Sequence, residues 1–232
     1  MSGVPLARAL AAEALGTALL VAAVIGSGIM GERLAGGNDA VALLANTGAT
    51  AAALYVLITL FAPLSGAHFN PVVTVVLWAR GDVAARTVVP YAAAQVAGAV
   101  AGAVTANAMF ALPRVAAAAT ARSGAALWLS EIVATSLLVL VILGLSKARP
   151  AAVPAGVALT IAAAYWFTAS TSFANPAVTL ARSLSDTFAG IDPRHVPAFV
   201  VAQAVGGALA LGAANLLFGR ARAAAAALPR VP

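Results

Sequence analysis

The sequence has no cysteine and little charge: Asp, Glu, Lys and Arg make up 9% of its 232 residues, where a soluble domain carries roughly 25%. Without cysteine there is no disulfide framework and no thiolate metal site, so neither redox compartment nor a zinc role follows. Acids are scarcest, 7 against 13 bases. The bases stand singly between apolar runs, and no basic cluster or stripe marks a nucleic-acid surface. What the chain does have is apolar side chains, 62% of the total, more than a soluble globule of this length can hide. The expected partner is a lipid bilayer.

A bilayer is crossed by roughly 20 predominantly apolar residues. Residues 6–30, 87–111, 124–145 and 196–219 read as ordinary spans. The first is too long for the apolar core of a secretory signal, about 7–15 residues, and carries Glu13 near its start, so it reads as a retained span. Residues 40–79 and 150–181 contain no Asp, Glu, Lys or Arg. Each is too long for one span and lacks the polar connection that two would need. Each therefore reads as one span plus a re-entrant piece, and irregular backbone at that depth implies a lined cavity.

The same elements recur in both halves, about residues 1–115 and 123–222. Ala12-Glu13-Ala14-Leu15 matches Ser130-Glu131-Ile132-Val133, Asn70-Pro71-Val72-Val73-Thr74 matches Asn175-Pro176-Ala177-Val178-Thr179, and Gln95-Val96-Ala97-Gly98 matches Gln203-Ala204-Val205-Gly206. A repeat with an odd number of spans must invert, which places its functional site near the midplane. Asn is a favoured N-cap and Pro is favoured at the first helical position, so Asn70 and Asn175 read as starts of half-helices. Before Asp186 the second has room for about 11 residues, roughly 16 Å. Two N-termini at the bilayer centre repel cations and attract lone pairs, and each capping Asn keeps its NH₂ free to donate to a solute. The fold class is an all-α membrane protein in one domain, with six spans, two re-entrant half-helices and an inverted repeat.

These paired elements, with Ser65-Gly66-Ala67-His68-Phe69 leading into the first, resemble the signature loops of the aquaporin and aquaglyceroporin (major intrinsic protein) family. The resemblance covers nearly the whole chain. It implies a passive channel for small uncharged solutes, with no enzymatic activity and no cofactor, assembled as a homotetramer with one pore per protomer. Pro71, Val72, Pro176 and Ala177 would flank the midplane, where Val72 replaces the usual Ala and either narrows or dries the pore.

The family's outer constriction, carried over by position, falls on Thr50, Ala163, Ser172 and Val178. The bulky or charged groups of a water filter are missing from three of these, which implies a wide pore admitting glycerol-sized solutes or metalloid hydroxides such as arsenious acid. Glu13 and Glu131 would brace the loops, with a proton relay as the alternative. Arg182 shares a helix face with Val178, and either charges the vestibule or pairs with Asp186. His68 is a packed loop residue or a gate, and His195 is exposed or senses pH.

Placing both termini in the cytoplasm leaves Arg8, Arg80, Arg86, Lys147, Arg149, Arg220, Arg222 and Arg230 inside a cell membrane, against Arg33, Arg114, Arg122, Arg182 and Arg194 outside. A coupled transporter of the inverted-repeat type and a non-conducting scaffold remain as alternatives.

Overall fold

The computed structural model describes residues 4–219. Helices α1 (Leu6–Leu34), α2 (Asp39–Ser65), α4 (Ala85–Met109), α5 (Ala125–Ala148), α6 (Val153–Phe167) and α8 (Val196–Phe218) are long. Helices α3 (Pro71–Arg80) and α7 (Pro176–Arg182) are short. Counting the short 3₁₀ turns that lead into α6 and α8, the six long elements are apolar enough to cross a membrane. The described residues contain no strand.

Local chemistry sets the boundaries. The Asn38 side chain accepts from the N–H groups of Ala40 and Val41 at the start of α2, and Gly66 ends that helix at φ 88°, a left-handed value that suits glycine. Residues 40–79 thus resolve into one span and one half-helix, as do residues 150–181.

α7 is shorter than its sequence suggested, 7 residues or roughly 10 Å. It stops because the next carbonyls are taken by another segment: Ser183 O accepts from Ala118 N, and Leu184 O from Ala116 N and Asn107 Nδ2. The α4–α5 connection thereby pins the chain that follows Arg182.

Packing repeats between the halves. α1 lies against α2 and α4, and α5 against α6 and α8. The α1–α4 crossing is closest at Gly98 and Gly102, where an added Cβ would fall 2.1 Å from Ala14 O and 2.3 Å from Ala18 O. Gly206 plays the same part toward Ile132 on α5. Small residues let membrane helices approach this closely. Side chains such as Leu60, Val89, Leu159 and Leu216 point outward, whereas Glu13, Gln95, Glu131 and Gln203 are fully buried. An apolar outside around a polar inside is the distribution a bilayer demands.

Candidate functional site

The two half-helices meet head to head. The Oδ1 atom of Asn70 accepts from Val72 N at 3.0 Å, and that of Asn175 from Ala177 N at 3.0 Å and Val178 N at 3.3 Å. Pro71 and Pro176 occupy the first helical positions, where no N–H is needed. The amide nitrogens do something the sequence did not suggest. Asn70 Nδ2 donates to Ala174 O and Asn175 Nδ2 to Phe69 O, each at 2.7 Å. The NH₂ groups are therefore not wholly free, since one hydrogen of each clasps the opposite loop and one is left to face a solute.

The loops before the Asn residues share a left-handed path. Gly66, Ala67 and Phe69 in the first, and Thr171, Ser172 and Ala174 in the second, all have positive φ. Non-glycine residues there cost roughly 1–3 kcal/mol each and need outside support. Glu13 Oε1 accepts from Ser65 Oγ and His68 N at 2.6 and 2.9 Å, and Oε2 from Phe69 N and Gln95 Nε2, both at 2.7 Å. Glu131 does the same for the second loop, accepting from Phe173 N, Ala174 N and Gln203 Nε2 at 2.9, 2.8 and 2.7 Å. The two glutamines also donate to Thr74 and Thr179, whose hydroxyls donate in turn to the Asn70 and Asn175 carbonyls. One chain of bonds thus runs from span to half-helix in each repeat.

A cavity of about 130 Å³ runs past this junction, room for several waters at roughly 10–15 Å³ each. Its helical walls are stripes at four-residue spacing: Thr50, Leu54 and Ile58 on α2; Leu138, Ile142 and Ser146 on α5; Val153, Val157, Ile161 and Tyr165 on α6. His68, Asn70, Val73, Ser172, Asn175, Val178 and Arg182 also line it. Most of the wall is apolar, and polar groups concentrate at the loops.

Three expectations need correction. Ala163 is exposed on the outer side of α6, about half a helical turn from the wall; Tyr165 stands in the cavity instead, its hydroxyl 3.4 Å from Thr50 Oγ1. The irregular loop before Asn175 breaks the register between that motif and α6, whereas the four-residue stripe on α6 is the signal that finds Tyr165. Val72 does not touch the cavity. It is buried among Val76, Val139 and Leu143, over Gly207, where an added Cβ would come 2.5 Å from Val72 Cγ1. The larger side chain occupies space left by that glycine, so it neither narrows nor dries the pore. Arg182 does not pair with Asp186, which accepts from Ala119 N. Arg182 is buried, its Nε donates to Ala189 O, and its guanidinium carbon stacks 3.4 Å above the centre of the Phe173 ring.

Thr50, Ser172 and Val178 all lie in the cavity wall, whereas Ala177 is fully buried and is not among the wall residues. His68 Nδ1 lies 3.0 Å from Thr74 Oγ1. His195 is half-buried and accepts at Nδ1 from Arg122 N. Nearby, hydrogen bonds from the Arg194 side chain and backbone hold the Asp192 carboxyl down at about 2.

The profile of the family described as "Major intrinsic protein" matches residues 1–158. Aquaglyceroporin AqpS of Rhizobium meliloti is 53% identical over 217 residues, 94% of this chain and 93% of that protein. Probable aquaporin AqpM of Archaeoglobus fulgidus is 31% identical over 242 residues, covering 91% of this chain and 97% of its own. Among solved structures, the aquaglyceroporin from Plasmodium falciparum superposes with a TM-score of 0.75 at 19% identity, over 92% of this chain and 97% of that one, a likeness of fold. With the inverted repeat, the clasped Asn-Pro half-helices and these relatives together, the chain belongs to the major intrinsic protein family of membrane channels.

Proposed function

We propose that the cavity is a passive pore for small uncharged solutes, conducting water together with glycerol-sized solutes or metalloid hydroxides such as arsenious acid. The observation that carries this reading is Val178, an apolar side chain on the cavity wall three residues after Asn175, where water-selective members of the family present a guanidinium. Thr50, Tyr165, Ser172 and Val178 form the constriction in this reading, and Asn70 and Asn175 orient the solute with their remaining amide hydrogens. Glu13 and Glu131 hold the loops in register. A proton relay would need titratable neighbours in sequence. The donors around Glu13 and Glu131 are instead backbone N–H groups, glutamines and one serine hydroxyl.

In this reading the protein is a homotetramer in the cell membrane with both termini cytoplasmic. Solutes exchange hydration for a short series of loop hydrogen bonds between apolar walls, so passage follows the gradient and needs no coupling ion. The test is stopped-flow flux in proteoliposomes for water, glycerol and arsenite. Linear, non-saturating flux of glycerol and arsenite is expected; saturable flux driven by an ion gradient would indicate a coupled transporter, and no flux a scaffold.

A further inference from the structure

We propose that Arg182 supplies, one helical turn beyond Val178, the cation barrier and solute-facing donor of this mouth of the pore, with Phe173 and Arg122 fixing its position. The inference rests on the pore reading above and assigns its charge selectivity to a particular side chain.

Arg182 is 2% exposed, yet lines the cavity. Only its Nε is committed, to Ala189 O; among the described residues the terminal nitrogens make no hydrogen bond, and the side chain lines the cavity. A buried guanidinium with unused donors must turn them toward whatever fills the cavity, because leaving them dry is costly. Unused guanidinium donors thus face the cavity, an arrangement that suits the lone pairs of a neutral hydroxylated solute.

No acid among the described residues pairs directly with this guanidinium. The described residues contain two salt bridges, Arg80–Asp82 and Arg194–Asp192, and neither involves Arg182 or Arg122. Arg122 approaches the ring of Phe173 at 5.1 Å, and its side chain donates to the carbonyls of Gly190, Ser170 and Phe188. Glu131 is the nearby carboxylate, but its oxygens are occupied by Phe173 N, Ala174 N and Gln203. Tyr165 is occupied toward Thr50. Glu32, Asp39 and Asp186 line, together with Arg122, a surface recess distinct from the cavity that Arg182 borders. One aromatic ring therefore carries two guanidinium groups, and the inner one borders the conduction path. Residues 178 and 182 lie four apart on one face, so the charge has moved roughly 6 Å along the half-helix. That displacement leaves the narrow ring wide while keeping a fixed positive charge in series with it.

Arg182→Gln, Arg182→Lys and Arg182→His would be compared with the parent in proteoliposomes, reading potassium leak and glycerol flux in the same vesicles. The Gln variant should leak potassium about tenfold faster than the parent relative to its own glycerol flux in the same vesicles. The Lys variant should exclude potassium nearly as well as the parent. The His variant should be leaky near about pH 8 and tight near about pH 5.5, as its ring gains charge; the parent should not change between them. This pH contrast is read within one folded protein, so it decides the matter even if the Gln variant fails to fold. Gln and His variants as tight as the parent at both pH values would overturn the inference. A parent without glycerol flux would instead overturn the pore reading itself.

Discussion

Burying a carboxylate between apolar helices is unfavourable unless something is gained, and the gain at Glu131 is geometric. Three hydrogen bonds to it, each worth about 1.5–3 kcal/mol, match the roughly 1–3 kcal/mol that each of Thr171, Ser172 and Ala174 stores at positive φ. Glu131→Ala should therefore release the second loop, lowering thermal stability in detergent by several kcal/mol and abolishing solute flux; normal melting and normal flux would refute the bracing role. Val178→Arg should cut glycerol and arsenite flux at least about tenfold while sparing some water flux, because a long donor fills a wide constriction. Equal passage of the larger solutes would remove Val178 from the filter. Glu13, Glu131, Asn70 and Asn175 were legible in the sequence because each occurs twice in register. Tyr165 was legible only from the four-residue stripe on α6, since an irregular loop separates it from the nearest fixed motif. The surroundings of Arg182 were illegible for a related reason: Phe173 and Ala189 reach it only through the path of the chain on either side of α7.

Helix ends and crossings divide in the same way. The spans could be read from long, sparsely charged apolar runs, and α3 ends at a glycine with φ 90°, a stop signal visible in the sequence. α7 ends where carbonyls are captured by residues 116 and 118, a tertiary event with no local signature. The α1–α4 crossing is decided by backbone contact, so Gly98→Ala should destabilise the protein by at least about 1–3 kcal/mol. Gly212→Ala, where an added Cβ meets nothing within 4 Å, should leave the melting temperature unchanged or slightly raised. Equal melting temperatures for the two variants would mean that the helices part more easily than their separation implies.

Which way the bundle faces is set by charge outside the apolar belt. Arg220, Arg222 and Arg230 support a cytoplasmic N-terminal side, but lie outside the described residues. The chain's lack of cysteine makes the test simple: Val115→Cys, in the α4–α5 connection, should react with an impermeant maleimide on intact cells, and Ala84→Cys, between α3 and α4, only after lysis. The reverse pattern would invert the orientation. The reciprocal clasp of Asn70 and Asn175 also bears on biogenesis. The acceptor for Asn70 Nδ2 lies 104 residues downstream, a delay of roughly 5–20 s at ordinary translation rates. For that interval the first loop sits in the membrane half-assembled, with an amide hydrogen and the Phe69 carbonyl both waiting for a partner. Completion of the conduction path is therefore a late event in synthesis, and chains halted before residue 174 should carry an open, protease-accessible first loop.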